Sequence, residues 1–314
     1  MANSWRISAL RDRHLALGSQ LEDWNGMGTA WTYHSDLADH HEAIRTHAGL
    51  MDVSGLKKVH YVGPHAESLL DQATTRDLGK LYPGKSVYAC MLDDDGRFID
   101  DCIIYRTGPN AFMVVHGAGS GHEVLVRSAQ GRQVAVLFDD DLHDLSLQGP
   151  RAVDFLAEHV PGIRDLPYFH HLQTRLFERP VMISRTGYTG ERGYEIFCKA
   201  ADAPIIWDGI LAQGKAHGII PCAFTALDWL RVESYLFPTT TRRCTPSPAR
   251  RRVIRCGSWG STSRYRPASW SSGAPASIGD SRAGSASRSL AYCSMATPPP
   301  KPATPCGTRV ARSA

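Results

Sequence analysis

Between residues 1 and 238, apolar positions fall into short blocks separated by turn residues. VYACML (87–92), FIDDCIIYR (98–106) and AFMVVHG (111–117) read as three strands of an antiparallel meander. Asp95-Gly96 and Gly108-Pro109-Asn110 are its expected turns. A helix is predicted next, with Ser120 as N-cap and HEVLVRSA as its body. VMISR (181–185) and YEIFC (194–198) read as strands on either side of the loop TGYTGERG, and DAPIIWDGILAQGKAHG (202–218) as a helix stopped by Gly218. HYVGPHAESLLDQA (60–73) and LSLQGPRAVDFLAEH (145–159) share one pattern of strand, Gly-Pro-x-Ala and amphipathic helix. Pro64 and Pro150 are expected in the first helical turn, where a missing N–H costs nothing. The pattern predicts a duplicated α+β fold with domains at 1–145 and 146–238. It shows neither regular strand–helix alternation nor a GxGxxG after a strand, so a dinucleotide-binding fold is excluded.

Charge divides the chain at the same point. Residues 239–314 carry 13 basic residues and one acidic, leaving 22 basic and 30 acidic in residues 1–238. The tail holds 14 Ser and 9 Pro with no Phe and one Leu, so it cannot bury enough apolar surface to order itself. As printed it reads as a disordered basic Ser/Pro/Arg segment, and a nucleic-acid-binding arm is one reading of it. The preferred reading is a frameshift near Pro238. Starting each codon one base earlier admits YDNSQMYP for 239–246 and LWELGLDFTVSPGK for 256–269, strings with the apolar runs and acidic residues that the printed tail lacks. The tail is therefore assigned no function, and no nucleic-acid partner is expected. No apolar run approaches the roughly 20 residues of a membrane span, and MANSWRISALRDRHLALG has no signal-peptide core, so a cytoplasmic protein without a membrane partner is expected. Cys90, Cys102, Cys198 and Cys222 form no CxxC pair and read as reduced core thiols.

Two stretches could carry chemistry. SRTGYTGERGYE (184–195) combines Gly187, Gly190 and Gly193, which let a backbone approach a flat ligand, with Tyr188, Tyr194, Glu191 and Glu195. A carboxylate there could accept two parallel hydrogen bonds from an amidine-like ring edge, although a plain hairpin with Gly turns fits the same residues. DDDGRFIDD (93–101) lacks the calcium-loop spacing, and its first three aspartates read as a solvated turn. Asp100 and Asp101 begin an apolar strand, so they point to opposite faces and one must point inward. That carboxylate could position or protonate a reacting nitrogen, or could merely cap backbone N–H groups. The adjacent pairs His40-His41 and His170-His171 do not share a face, and no metal site is expected.

SRTGYTGERGYEIF resembles the signature of the aminomethyltransferase family, the T-protein of the glycine cleavage system and its folate-dependent relatives. HAGLMDVSGL (47–56), GRFIDDCIIYR (96–106), LQGPRA (147–152) and LRVES (230–234) follow in the family's order, so the resemblance covers essentially residues 1–238. It implies T-protein-like folate-binding α+β domains with antiparallel sheets and flanking helices, completed by a C-terminal β-barrel that the frame-shifted tail no longer encodes. Without that barrel the printed chain is expected to be unstable or inactive. The implied cofactor is tetrahydrofolate. By the same resemblance Asp101 is the catalytic carboxylate near the reactive nitrogens, Glu195 grips the pterin edge, Tyr88 and Tyr188 pack against the cofactor, and Arg231 matches a basic residue of the corresponding helix. The implied activity is transfer of an aminomethyl group to tetrahydrofolate with release of ammonia. Leu227 stands where the T-protein commonly has Arg, His116-Gly117-Ala118-Gly119 replaces an Asn-Ala-x-Asn stretch, and Gly55-Leu56 replaces His-Met. These departures speak against a lipoyl carrier protein as partner and keep two alternatives open. One is a tetrahydrofolate-dependent demethylase of a small N-, O- or S-methyl compound, and the other is a non-catalytic folate-binding protein. The donor is thus a small-molecule or carrier-bound one-carbon compound.

Overall fold

The structure is a computed structural model that describes residues 5–93, 97–117 and 120–236. The Asp95-Gly96 turn, the basic tail at 239–314 and its frame lie outside the described residues. Helix α1 (Arg11–Ala16) and the small hairpin of β1 (Glu22–Trp24) and β2 (Met27–Thr29) come first, followed by α2 (Leu37–Thr46) and β3 (Ala48–Asp52). A five-stranded sheet is then built from β4 (Lys57–Val62), β5 (Ser86–Leu92), β6 (Phe98–Gly108), β7 (Ala111–His116) and β8 (Ala135–Phe138), in the order β5-β6-β7-β4-β8. Helices α3 (Ala66–Ala73) and α4 (Gly121–Ala129) are inserted between its strands. Strands β9 (Leu142–Gln148), β10 (His171–Leu176), β11 (Arg179–Ser184), β12 (Gly193–Lys199) and β13 (Ile219–Pro221) join β3 in a six-stranded sheet ordered β10-β11-β12-β9-β3-β13. Helices α5 (Ala152–His159), α6 (Ala203–Gln213) and α7 (Phe224–Glu233) complete the described chain. All pairings are antiparallel except β13 with β3.

Strand alternation decides where everything else goes. On the five-stranded sheet, Val59, Ala89, Cys102, Ile104 and Val114 bury one face beneath Leu69, Leu70 and Leu125 of α3 and α4. On the six-stranded sheet, Leu145, Leu147, Ile183 and Ile196 bury one face beneath Phe155, Ile206 and Trp207 of α5 and α6. The residues between these positions face the other way, and there the two sheets meet: Tyr105, Met113 and Val115 of one pack with Met182 and Phe197 of the other. Helices thus lie outside and the sheets face each other, which is the antiparallel α+β arrangement expected. The four cysteines at 90, 102, 198 and 222 are buried, and none forms a disulfide with another described residue.

The repeated Gly-Pro-x-Ala motif makes the same turn twice. Gly63 and Gly149 take φ of +144° and +132°, and the N–H groups of Ala66 and Ala152 each bond back to the glycine carbonyl at 3.1 Å. The helices begin at those alanines with His65 and Arg151 as N-caps, so Pro64 and Pro150 precede the helix rather than occupying its first turn. The turn consumes the residues that were expected to be helical. Ser120 does stand at the N-cap of α4, but its side chain makes no capping bond. The 202–218 segment is α-helical to Gln213, tightens into a 3-10 turn, and stops at Gly218 with φ +69°.

A Cβ at Gly149 would lie 2.5 Å from the His47 carbonyl and 2.7 Å from the Ala48 Cα, in addition to the strain of the positive φ. Gly149→Ala is therefore expected to cost about 1–3 kcal/mol. Urea unfolding should show a lower midpoint at unchanged slope, and an unchanged midpoint would refute this reading of the turn.

Candidate functional site

Asp100 and Asp101 separate as strand geometry requires. Asp100 is fully buried on the helix side of β6, where it accepts hydrogen bonds from the backbone N–H groups of Asp101 at 2.9 Å and Gly121 at 3.3 Å. The ring Nδ1 of His116 lies 3.0 Å from the same carboxylate. Asp100 is thus the N–H-capping aspartate, seated at the start of α4. Asp101 turns to the opposite, inter-sheet face and is partly buried. The Tyr88 hydroxyl donates to its Oδ2 at 2.7 Å from the neighbouring strand. Cys90 is the direct cross-strand partner of Asp101, and its thiol lies 3.9 Å from the Tyr88 hydroxyl.

The six-stranded sheet presents Glu195 to the same space. Its carboxylate is buried and accepts from the Tyr105 hydroxyl at 3.2 Å and from the Thr186 hydroxyl. Burial pushes its pKa up, and these two donors partly offset the effect. Tyr105 comes from the five-stranded sheet, so this bond ties the two sheets together. Tyr188 packs against the buried cluster of Ile44, Met51, Val53, Cys222, Leu227 and Leu230, and its hydroxyl is buried without a hydrogen-bond partner among the described residues. Burial raises its pKa, and the charges of Asp101 and Arg231 act on it with opposite sign, which places both within electrostatic reach of Tyr188. Arg231 itself is held by Asp228 one turn back on α7, at 2.7 Å through Nε.

The loop between β11 and β12 differs from its expected form. Gly187 and Gly193 do not leave room for a ligand: the Gln148 side chain fills the space beside both. Gln148 donates to the carbonyls of Thr186 at 3.2 Å and Tyr194 at 3.4 Å and accepts from the Thr189 hydroxyl at 3.2 Å. The glutamine of LQGPRA therefore shapes the loop TGYTGERG from inside. Tyr194 offers no face to a ligand, because strand parity sends it with Ile196 into the helix-side core. Glu191 is engaged by Arg45 at 3.3 Å. Asp144 on β9 and Lys58 on β4, both buried, also face the inter-sheet space and were not foreseen.

Residues 10–241 match the GCVT N-terminal domain. The chain belongs to that family. Over 236 residues it is 92% identical to the heme-dependent oxidative N-demethylase gamma subunit of Ectopseudomonas mendocina, covering 75% of this chain and 63% of the relative. An aminomethyltransferase of Streptomyces coelicolor is 36% identical over 234 residues, 73% of this chain and 63% of the relative. The solved aminomethyltransferase T of the glycine cleavage system from Bartonella henselae superposes with a TM-score of 0.68 at 29% identity, over 75% of this chain and 64% of that one. The chain thus spans less than two thirds of the length of these relatives. Within this GCVT domain, Leu227 is buried among Ile44, Met51, Val53 and Leu230, an apolar wall where an Arg was the family expectation.

His171 underlies Tyr105, with ring centroids 5.5 Å apart, and burial together with neighbouring His170 lowers its pKa from 6.5 to about 4. Folding favours its neutral form, so its contribution is complete above pH 6.5 and is lost as pH falls toward about 4. Unfolding midpoints measured between pH 7 and 4.5 should fall in the unaltered chain and fall less in His171→Gln. Equal slopes for the two would refute this.

Proposed function

We propose that the chain is the tetrahydrofolate-binding, one-carbon-accepting part of a transferase, with Asp101 as the catalytic carboxylate. The observation that carries this reading is that Asp101, bound by Tyr88, and Tyr105, which bonds the buried carboxyl of Glu195, lie on the same inter-sheet face of β6. The residues fit the cofactor. Glu195 offers two acceptor oxygens to an amidine-like pterin edge, and the Tyr188 hydroxyl, without a partner among the described residues, supplies a further polar contact beside an apolar cluster. When bound, tetrahydrofolate supplies the nucleophilic nitrogens that take up the one-carbon unit.

The protein's own contribution is orientation and proton handling. The Tyr88 hydroxyl orients the Asp101 carboxylate, which would take a proton from a reacting nitrogen or return one to a leaving group. Asp100, rigidly bonded to the Asp101 N–H, holds the backbone of that residue in place. Tyr105 and Thr186 hold Glu195 in one orientation. Arg231 lies within electrostatic reach of Tyr188 and favours an anionic group at that end of the site.

Two donor reactions remain distinct. Aminomethyl transfer is supported by the curated aminomethyltransferases. Acceptance of the one-carbon product of an N-demethylation, beside partner subunits, is supported by the 92% identical gamma subunit and by the apolar cluster containing Leu227 against which Tyr188 packs. We take the second as the better reading, because the 92% identity to the gamma subunit extends over three quarters of this chain.

Asp101→Asn should lower tetrahydrofolate-dependent capture of the one-carbon unit by roughly 10²–10⁴-fold while tetrahydrofolate still binds. Capture would be followed by the loss of free donor and binding by fluorescence titration. Full turnover in a folded variant would remove Asp101 from its catalytic role.

A further inference from the structure

One buried group on the inter-sheet face has no task in the reading above. Asp144 is fully buried, and neither of its carboxyl oxygens has a hydrogen-bond partner among the described residues. Such a group costs about as much as a lost hydrogen bond or more, and buried side-chain polar atoms are nearly always paired. Lys58 attracts it electrostatically, yet the Lys58 ammonium gives its hydrogen bonds to the carbonyls of Ser54 at 2.8 Å and Leu56 at 2.7 Å. An ion pair therefore does not account for the Asp144 oxygens.

Register shows where the side chain points. Leu145 and Leu147 of β9 belong to the helix-side core, so Asp144, Ser146 and Gln148 face the other sheet. Ser146 stands opposite Glu195 and Asp144 opposite Phe197, and Phe197 packs against Tyr105 between the sheets. Asp144 and Glu195 are thus diagonal neighbours on one face, a relation that sets residues about 7–8 Å apart. The groups acting on Asp144 from the surrounding elements are Lys58 of β4, Asp52 of β3 and Glu195 of β12, and its charge in turn acts on Tyr105 of β6.

We propose that Asp144 is a second ligand-binding carboxyl of this site, bonding the ring carbonyl edge of a pterin whose amidine edge is held by Glu195. The inference rests on the folate reading above and adds to it a specificity-determining residue. Its chemistry suits that edge. Burial, reinforced by the charge of Glu195, raises Asp144 well above the usual carboxyl range. The neutral form that this shift favours offers an O–H donor to the lactam carbonyl, while the adjoining ring N–H stays with Glu195. Two carboxyls on adjacent strands would hold one ring by two edges and so fix its rotation in the plane between the sheets.

The test uses the full chain, with tetrahydropterin and its analogue lacking the 4-oxo group as probes. Binding of both is measured by fluorescence titration, and fold is checked by circular dichroism. Asp144→Leu, or Asp144→Ala should the leucine variant not fold, is expected to weaken tetrahydropterin about tenfold and the analogue less than twofold. Equal weakening of both probes would assign Asp144 a merely structural role and overturn the proposal, as would unchanged binding of both. Failure of the unaltered chain to bind either probe would instead overturn the folate reading on which the proposal rests.

Discussion

A carboxyl group taken out of water needs hydrogen-bond donors, a compensating charge or a proton, and the space between the two sheets holds three such groups. Asp101 has the Tyr88 hydroxyl, Glu195 has the hydroxyls of Tyr105 and Thr186, and burial raises Asp144 toward its neutral form. Each solution depends on the same arrangement. Both sheets bury one face beneath helices and are left with a second face that meets the other sheet. Were either sheet turned toward solvent, Glu195 and Asp144 would lose the burial that raises them, and the Tyr105–Glu195 bond between the sheets could not form.

The Gly-Pro-x-Ala turn is what makes such a pair of sheets buildable from one chain. It carries β4 into α3 and β9 into α5 with the same positive-φ glycine and the same backbone bond. In the second copy the residue before the glycine is Gln148, whose amide fills the space beside Gly187 and Gly193 and shapes the loop leading into Glu195. One turn therefore serves two ends: it directs a helix onto the outer face and sets the geometry of a loop at the inner one.

Much of this was legible in the residues themselves. The meander, the duplicated strand–turn–helix and the stop at Gly218 of the helical segment that begins with α6 follow from apolar periodicity and turn chemistry, which act over a few residues. The divergence of Asp100 and Asp101 followed from strand parity alone. Asp144 was not legible, because alternation in LHDLSLQ shows two faces but not whether the polar one meets water or another sheet. Tyr194 stands in the sequence among the residues of a Gly-rich loop, whereas its place one residue from Glu195 on a strand sends it to the opposite face. The glycines were read as room for a ligand because a side chain 39 positions before Gly187 cannot be seen filling that room from local sequence.

A crystal structure of the chain with tetrahydrofolate bound would test the inter-sheet site most directly. The pterin ring should lie between the two sheets, with an edge on the Glu195 carboxylate and the reactive nitrogens beside Asp101. A ring bound elsewhere, with the Tyr105–Glu195 and Tyr88–Asp101 pairs untouched, would contradict it.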